Sequence, residues 1–352
     1  MEFKIQNKKV GKGHPLFFIA EAGVNHNGSK DLGKKLIDIA TDAGADAVKF
    51  QTFKTENIIT SDAPKSTYHV ETTGEDQKQS WFELLKTQEM SRSMHVALIE
   101  HCNENGIIFL STPYDEDSAD LLEELNVPAF KIASTDTNNL PFLSYVAAKG
   151  RPMILSSAMA TMEEVKDAVA VLRDQKLEDF AVLQCTGNYP SKLSDSHLSV
   201  MKTYANQLKC IIGYSDHTPD LINPVAATAM GAKVYEKHFT IDKTLAGPDH
   251  RMSLDGKELR KTIKAIRNTE KALGNPEKNV LEIEKENRTK LRKSIVANKD
   301  IFKGEIMSNE MLAIKRPGNG MPPGKLESVI GSKAKIDINY GTVITLEMFD
   351  AK

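Results

Sequence analysis

The chain has 352 residues, 46 of them basic and 48 acidic, which gives a formal net charge of −2. This balance excludes a global electrostatic field of the kind that attracts nucleic acid or an anionic membrane. The length suits one α/β barrel of about 250 residues followed by something small. Because the N-terminus lacks a secretory pattern and no apolar run approaches the length of a membrane span, we expect a cytoplasmic protein with neither nucleic-acid nor membrane partners.

Three widely spaced cysteines lie in apolar runs. This placement indicates buried thiols rather than disulfides or a zinc cluster. They are Cys102, Cys185 and Cys210.

Eight apolar runs of strand length alternate with helical patterns along the chain. The runs are residues 16–20, 47–51, 107–112, 129–134, 153–157, 180–185, 210–215 and 232–236. Ser29 and Gly44 are placed to begin and end the first helix, Thr161 with Glu164 forms a capping box for another, and the last helix ends at Gly274. The alternation predicts an α/β fold, a (β/α)8 TIM barrel, with an open doubly wound sheet as the competing arrangement. An open sheet often carries a glycine-rich dinucleotide fingerprint, and the glycines after the first run do not have that spacing, which favours the barrel.

The C-terminal part of the chain has a different composition. Residues 280–292 are highly charged and indicate a solvated linker between a barrel domain at 1–279 and a small domain at 293–352. Residues 304–312 repeat as residues 341–349, each copy reading as a glycine turn, a short strand and a Glu-Met corner. We therefore expect a mainly β domain with internal two-fold symmetry, which is marginal in size when alone.

In a TIM barrel the reacting groups sit at the carboxyl ends of the strands, and polar side chains occupy those ends here. They are Glu21, Lys49, Gln51, Thr112, Lys131, Ser134, Asp136, Ser156, Ser157, Thr186, Asn188, Tyr189, Ser215, His217 and His238, with Asp249 in the loop after the last strand.

Two lysines, Lys49 and Lys131, interrupt otherwise apolar strands. A buried ammonium group is costly unless an anion meets it, and the nearby hydroxyls are donors that a phosphate or carboxylate accepts. These residues predict an anionic substrate in the barrel mouth. In the alternative interpretation the two lysines pair with barrel carboxylates such as Glu21 or Glu236. Glu236 and Lys237 are left outside the predicted site because they could equally face the helices or a neighbouring residue.

His217 and His238 follow neighbouring strands and should emerge at one edge of the sheet. Paired neutral imidazoles suit a divalent metal, although histidines at strand ends also serve only as hydrogen-bonding groups. The carboxylates of Glu21, Asp136 and Asp249 could bind sugar hydroxyls, shuttle protons or cap loops. The residues alone leave these alternatives open.

The stretch from 52 to 80 is long and polar for a barrel loop, which suggests a lid. It contains Tyr68, His69 and Gly74. We interpret His26, His69 and His250 as polar loop residues rather than ligands.

Five short motifs occur in a characteristic order. They are Ala-Glu-Ala-Gly-Val-Asn-His-Asn-Gly at 20–28, Val-Lys-Phe-Gln-Thr at 48–52, Gly-Tyr-Ser-Asp-His-Thr at 213–218, Glu-Lys-His-Phe-Thr at 236–240 and Lys-Arg-Pro-Gly-Asn-Gly at 315–320. Together they resemble the sialic acid synthase family of nonulosonate synthases over essentially the whole chain. The resemblance includes a small C-terminal domain similar to type III antifreeze protein, the SAF domain.

This resemblance implies condensation of phosphoenolpyruvate with the open-chain form of an N-acylated mannosamine-type sugar and release of inorganic phosphate. It implies that Glu21, His217 and His238 are catalytic and that the two histidines hold Mn²⁺ or Mg²⁺, a Lewis acid for the sugar aldehyde. Positions matching phosphoenolpyruvate contacts are Lys49, Thr112, Lys131, Ser134, Ser156 and Ser215. Positions matching sugar contacts are Glu21, Gln51, Asp136, Tyr189, Asp249 and Arg316.

Arg316 matches an arginine that the antifreeze-like domain places over the partner subunit's barrel, so the resemblance also implies a domain-swapped homodimer. Two departures concern the sugar: Gly187 stands where some members have asparagine, and Asp136 where some have glutamate. The leading expectation is N-acetylmannosamine, giving N-acetylneuraminate. The alternative is a 2,4-diacetamido-trideoxy hexose, giving a legionaminic or pseudaminic acid. A non-catalytic sugar- or ice-binding protein is disfavoured because it would leave the lysines and paired histidines without a task.

Overall fold

A computed structural model of the chain describes residues 1–65, 70 and 80–350. The chain divides into two compact units, Met1–Gly274 and Asn275–Lys352. The predicted domain boundaries at 279/280 and 292/293 stay predictions.

The eight apolar runs form eight parallel strands that close into a barrel, which confirms the predicted TIM-barrel fold. An antiparallel hairpin of β1 (Glu2–Ile5) and β2 (Lys8–Gly11) precedes them. The barrel strands are β3 (Phe17–Gly23), β4 (Ala47–Thr52), β5 (Ile108–Pro113), β6 (Phe130–Ile132), β7 (Met153–Ser156), β8 (Phe180–Cys185), β9 (Ile211–Asp216) and β10 (Val234–His238). Strand β10 closes the barrel by pairing with both β3 and β9.

Helices follow the barrel strands, and the longer ones bury their apolar faces against the barrel. They are α1 (Lys30–Ala43), α2 (Thr55–Ile58), α3 (Trp81–Lys86), α4 (Arg92–Asn105), α5 (Glu116–Glu124), α6 (Leu140–Ala147), α7 (Met162–Asp174), α8 (Val200–Leu208), α9 (Ile222–Ala229) and α10 (Gly256–Leu273). Ser29 caps α1, whose C-terminus is closed by Gly44 in the left-handed conformation, and Thr161 with Glu164 forms the predicted capping box of α7. None of the helices in the described part of the chain has the length and apolar character needed to cross a membrane.

Several strand boundaries differ from prediction by one to three residues, and two of these differences are described here because they affect the site. Strand β10 runs to His238 instead of ending at Glu236, so the histidine is a strand residue. Strand β6 is shorter than predicted because Ser134–Asp136 leaves the sheet as a 3-10 turn. Side chains two residues apart share a face of a strand. Glu236 and His238 therefore both point into the barrel.

The barrel interior has an apolar end and a polar end. Phe3, Ile5 and Val10 of the hairpin pack with inward side chains such as Ile154 and Leu183, which closes the amino-terminal end of the barrel. The hairpin was not predicted. Since this end is filled with apolar side chains, the polar side chains further along the strands line the opposite, carboxyl end.

Gly213 of β9 lies where two barrel strands approach closely. A Cβ atom at this position would overlap the carbonyl oxygen of Val234 and the side chain of Leu183. We expect Gly213→Ala to lower the free energy of unfolding by about 3 kcal/mol, because a packed interior cannot take up the added methyl group. Chemical denaturation measures this change in the free energy of unfolding. Gly324→Ala is the control, since its Cβ would meet no atom, and it should change stability by less than about 0.5 kcal/mol. If the two variants were equally stable, the result would contradict the close approach of the two strands at Gly213.

The second unit is small and mainly β. Strands β11 (Ser294–Ala297) and β12 (Leu312–Lys315) pair with each other, as do β13 (Lys333–Ala334) and β14 (Phe349–Asp350). The two sequence repeats match in structure: Gly304 and Gly341 have positive φ angles of 92° and 81°. Their Glu-Met corners are the 3-10 turns Asn309–Met311 and Leu346–Met348. The predicted linker is exposed and contains a short helix, α11 (Lys285–Leu291).

Candidate active site

The carboxyl ends of the barrel strands surround a cavity of about 610 Å³. Twelve of the predicted site residues line it: Glu21, Lys49, Gln51, Thr112, Lys131, Ser134, Ser156, Tyr189, Ser215, His217, His238 and Asp249. The structure therefore brings together groups from all eight strands and the loops that follow them. The roles of these residues stay predictions.

Two predicted residues are not among those that line the cavity. Asp136 lies in the 3-10 turn after β6, where its carboxylate accepts hydrogen bonds from Asn139 Nδ2 at 3.0 Å and Thr135 Oγ1 at 3.4 Å. Its burial raises the pKa of the carboxyl group above its ordinary value. Arg316 belongs to the second unit, where it is exposed and its Nε donates to the Leu291 carbonyl oxygen. Sugar contacts by Asp136 and Arg316 stay predictions.

A buried cluster of two lysines and two glutamates forms the floor of the cavity. Lys49 Nζ lies 3.1 Å from Glu21 Oε2 and 3.0 Å from Glu236 Oε2. Lys131 Nζ lies 3.4 Å from Glu236 Oε1 and donates to Ser156 Oγ at 2.7 Å. The alternative pairing of the lysines with Glu21 and Glu236 is thus present.

Leaving Glu236 out of the predicted site was wrong. Its side chain lines the cavity, and Ser215 Oγ donates to it at 3.0 Å. The next residue, Lys237, faces the other side of the strand, where it forms an ion pair with Asp216 at 2.8 Å. Successive side chains of a strand point to opposite faces. Counting back from an inward His238 therefore places Glu236 on the inner face and Lys237 on the outer face.

In this cluster the positive charges of the lysines and the negative charges of the glutamates do not balance. Burial raises the pKa of Glu21 to about 7, although Lys49 opposes the change. Burial also opposes ionisation of Glu236, but Lys131 and Lys49 hold the pKa of its carboxyl group well below its ordinary range. Burial lowers the pKa of Lys131 to about 8. One firmly ionised glutamate thus faces two ammonium groups, which leaves the floor short of negative charge and suited to an anion.

The hydroxyl group of Thr112 also lacks a hydrogen-bond partner among the described residues. Its Oγ1 is buried and makes no hydrogen bond to any residue that the structure describes. A buried hydroxyl without a partner is destabilising, and a bound ligand can provide one. The atom lies on the cavity wall beside the lysine cluster.

His217 and His238 stand together at the end of β9 and β10. Their ring centres are 5.4 Å apart. His217 Nδ1 donates to the Thr186 carbonyl oxygen at 2.8 Å, which leaves the lone pair on Nε2. His238 Nδ1 is buried without a hydrogen-bond partner in the described residues, and it lies 3.9 Å from Asp249 Oδ2.

This pair fits a divalent metal with two protein ligands. One ring has its tautomer set by a backbone carbonyl, and the other has a buried nitrogen that makes no hydrogen bond within the described part of the chain. Among residues 1–65, 70 and 80–350, no group of three or more His, Cys, Asp or Glu side chains is placed to hold a metal. A metal at the pair would therefore keep positions for water or substrate oxygens, as Mg²⁺ commonly does.

Part of the cavity wall is apolar and was not predicted. It includes Phe53, Ile58, Trp81, Leu84 and Met159. Tyr114, also unpredicted, lines the cavity and packs its ring edge-on against Phe53 with 6.1 Å between centres. An amphipathic pattern would predict that these apolar residues belong to the hydrophobic core. No local feature of the sequence therefore indicates that they line the cavity.

The predicted lid lies only partly within the described residues. Residues 66–69 and 71–79, which include Tyr68, His69 and Gly74, fall outside them. His26 and His250 are not among the cavity-lining residues: His26 accepts from the Gly28 backbone, and His250 hydrogen-bonds to Thr240 and Asn27. The three cysteines are buried and free, and Cys185 lines the cavity.

A TIM barrel whose strand ends hold a buried cluster of lysines and glutamates beside a pair of imidazoles has the architecture of an enzyme with its active site at the carboxyl end of the barrel. Residues 36–278 of the chain match the NeuB family, and residues 292–350 match the SAF domain. The chain therefore belongs to the NeuB family, and the predicted resemblance is confirmed. It is a phosphoenolpyruvate-dependent transferase that forms a carbon–carbon bond.

Similar proteins cover from 82% to 98% of the chain. N,N'-diacetyllegionaminic acid synthase of Legionella pneumophila is 40% identical over 348 residues, which are 98% of this chain and 97% of that protein. Human N-acetylneuraminate-9-phosphate synthase is 38% identical over 343 residues, 97% of this chain and 94% of that protein. The crystal structure of N-acetylneuraminic acid synthetase from Leptospira borgpetersenii in complex with citrate is 34% identical, with a TM-score of 0.72 over 82% of this chain and 95% of that one.

Proposed function

We propose that the protein condenses phosphoenolpyruvate with the open-chain form of an N-acylated amino hexose, forming a nonulosonate and releasing inorganic phosphate. The leading acceptor is N-acetylmannosamine, which would make the enzyme an N-acetylneuraminate synthase. The observation that carries this proposal is the lysine and glutamate floor beside the paired imidazoles within one cavity. The floor suits the anionic substrate, and the imidazoles suit the aldehyde end of the sugar.

Phosphoenolpyruvate would bind to the floor. Ser156 Oγ accepts from Lys131, so its own hydrogen is available to the substrate. The unpaired hydroxyl of Thr112 would gain a partner, and the Lys49 and Lys131 ammonium groups would face the anionic oxygens. Ser134 and Ser215 would add further hydroxyls.

The sugar would lie above, with its aldehyde toward the histidines. His217 and His238 would hold Mn²⁺ or Mg²⁺, which supplies Lewis-acid polarisation of the aldehyde when bound. Glu21, Gln51, Tyr189 and Asp249 would contact the sugar from the cavity wall.

The reaction joins C3 of phosphoenolpyruvate to the aldehyde carbon, and water adds to C2 as the C2–O bond to phosphate breaks. Glu21 can serve both proton transfers because its pKa of about 7 lets it donate and accept at neutral pH. Its protonated form gives a proton to the aldehyde oxygen, and the carboxylate then takes one from the water. Gln51 Nε2 donates to Glu21 Oε1 at 3.2 Å and would orient the group.

A second acceptor has support from the cavity wall. Phe53, Ile58, Trp81 and Leu84 present apolar surface toward the cavity. A 2,4-diacetamido-trideoxy hexose carries a methyl group in place of the hydroxymethyl group of N-acetylmannosamine, and a second acetamido group, which ends in a methyl, in place of one hydroxyl. Such apolar groups would bury against this wall, which favours a legionaminic-type or pseudaminic-type product.

Incubation with Mn²⁺, phosphoenolpyruvate and each sugar separately, followed by a phosphate assay, tests these proposals. We expect phosphate release that depends on both substrates. Release with the diacetamido sugar and not with N-acetylmannosamine would select the second acceptor. No release with either sugar would contradict the proposed function.

We also infer from the resemblance that the active unit is a domain-swapped homodimer in which Arg316 acts on the partner's barrel. Mixing inactive Arg316→Ala with inactive Lys131→Met should then restore activity through mixed dimers. Fluorescence-labelled subunits would report exchange. Exchange without recovered activity would contradict action of Arg316 in trans.

A further inference from the structure

Each of the two histidines at the cavity is preceded by a charged residue, and the two charges have opposite signs. Asp216 ends β9 directly before His217, and Lys237 lies in β10 directly before His238. The two charged residues are opposite each other in the register of the neighbouring strands. Because successive side chains of a strand alternate in direction, both lie on the outer face of the barrel. Neither of them lines the cavity.

Asp216 and Lys237 form an ion pair that is shut off from solvent. Lys237 Nζ lies 2.8 Å from Asp216 Oδ2, and the exposed fractions of the two side chains are 2% for the lysine and 0% for the aspartate. Tyr235 OH also donates to Asp216 Oδ2, at 2.7 Å. A buried ion pair adds little net stability over apolar side chains of similar volume, because both charges lose their hydration. Such a pair can instead hold the chain in one particular arrangement.

The same ion pair anchors the backbone on both sides of His217. Asp216 Oδ1 accepts hydrogen bonds from the Thr218 backbone N–H at 2.9 Å and from Thr218 Oγ1 at 2.8 Å. Lys237 Nζ donates to the Thr218 carbonyl oxygen. The residues before and after His217 are thus both tied to the strand that carries His238. A shift of one histidine backbone relative to the other would break these contacts.

The spacing of the two imidazole rings depends on where their backbones lie. The Thr186 carbonyl orients the ring of His217, whereas His238 Nδ1 makes no hydrogen bond to the residues that the structure describes. The positions of the two strand ends therefore set much of the 5.4 Å between the ring centres. A metal with only two protein ligands binds tightly when the ligands are placed beforehand, because ordering them on binding would weaken the affinity.

We propose that Asp216 and Lys237 are positioning residues for the metal site: their ion pair fixes the spacing of the two histidines from the outer face of the barrel and so sets the affinity for the divalent metal. The inference rests on the proposed ligand role of the histidines. Each positioning residue acts through the backbone of the histidine that follows it. Loss of the ion pair weakens metal binding and spares phosphoenolpyruvate binding, because the ammonium groups of the floor belong to β4 and β6.

Isothermal titration with Mn²⁺ tests the proposal in Lys237→Met, in Asp216→Asn and in the protein carrying both changes. Asparagine keeps the size of aspartate, so the test does not depend on the folding of Lys237→Met alone. Each single change should raise the Kd for Mn²⁺ by about 10–100-fold, as the loss of groups that orient metal ligands does. The double variant should bind Mn²⁺ about as weakly as the single variants, because the two residues act as a unit. Phosphoenolpyruvate binding without metal, followed by the fluorescence of Trp81, should stay as in the wild type.

Lys149→Met is the matched control, because it removes a lysine from another ion-paired cluster of the same domain. The Lys149 side chain is 9% exposed and pairs with Asp120 at 2.5 Å and with Glu123 at 2.7 Å, and it does not line the cavity. This variant should melt at a lower temperature than the wild type and keep the wild-type affinity for Mn²⁺.

The outcomes separate the positioning role from the ligand role. If the wild type and both single variants bind Mn²⁺ equally well, the positioning role is overturned and the proposed ligands stand. A loss of Mn²⁺ affinity in Lys149→Met as well, or an equal loss of phosphoenolpyruvate binding in the test variants, would show general destabilisation and also overturns it. If the wild type binds no Mn²⁺, the ligand role of the histidines and the positioning role fall together.

Discussion

Lys131→Met is expected to lower kcat/KM for phosphoenolpyruvate by about 10²–10³-fold, since one partner of a buried charge contact is removed. Lys131 Nζ reaches Ser156 Oγ and Glu236 Oε1, so its loss removes a cation and leaves one ammonium group, that of Lys49, beside Glu236. The floor would then no longer carry an excess of positive charge. Methionine keeps the apolar stem of the side chain, which should preserve the fold.

Binding can be followed separately from turnover. The chain contains a single tryptophan, Trp81, and it lines the cavity. Its fluorescence should change when phosphoenolpyruvate binds to the wild-type protein, and this change should need far higher concentrations in Lys131→Met. Lys202→Met, on the exposed surface of α8, is the control and should bind as the wild type does. Unaltered binding by Lys131→Met would show that the substrate anion lies elsewhere.

His217→Ala and His238→Ala are each expected to lower activity by at least about 10³-fold, because a Lewis-acid metal contributes several kcal/mol to such a reaction. Both side chains line the cavity and are not part of the apolar core, so the melting temperature should change little. Isothermal titration with Mn²⁺ measures the ligand role directly: we expect one binding event in the wild-type protein and none in either variant. Removal of metal by a chelator should abolish wild-type activity, and added Mn²⁺ should restore it.

His101→Ala is a suitable control for the metal experiment. His101 lies on α4, away from the cavity, and pairs with Asp38 at 2.7 Å. It should retain Mn²⁺ binding and activity. Full activity of His217→Ala or His238→Ala in the presence of chelator would refute the assignment of that histidine as a ligand.

Much of the barrel could be predicted because each strand is an apolar run followed by polar residues. Lys49 and His217 were recognisable as site candidates for this reason: a charged residue within an apolar run, and an imidazole directly after one. Glu236 was missed although it lies two residues before His238. The predicted strand ends at Glu236, whereas β10 continues to His238, so the predicted boundary does not reveal that residues 236 and 238 share the inward face.

Long-range packing accounts for the other omissions. The hairpin residues Phe3, Ile5 and Val10 become core only because they meet the open end of the barrel. Trp81 and Met159 reach the cavity from loops and short helices whose positions depend on tertiary contacts. For residues such as these, which lie outside the barrel strands, local patterns do not indicate which side chains will line a shared space.

The central claim is that phosphoenolpyruvate loses phosphate by cleavage of its C–O bond while its C3 joins an amino-sugar aldehyde. Phosphoenolpyruvate labelled with oxygen-18 at the bridging oxygen, incubated with enzyme, Mn²⁺ and the accepted sugar, tests it by mass spectrometry of both products. We predict a new acid containing the acceptor extended by the carbons of pyruvate, with the label in inorganic phosphate. Absence of the new acid, or label retained in it, would contradict the claim.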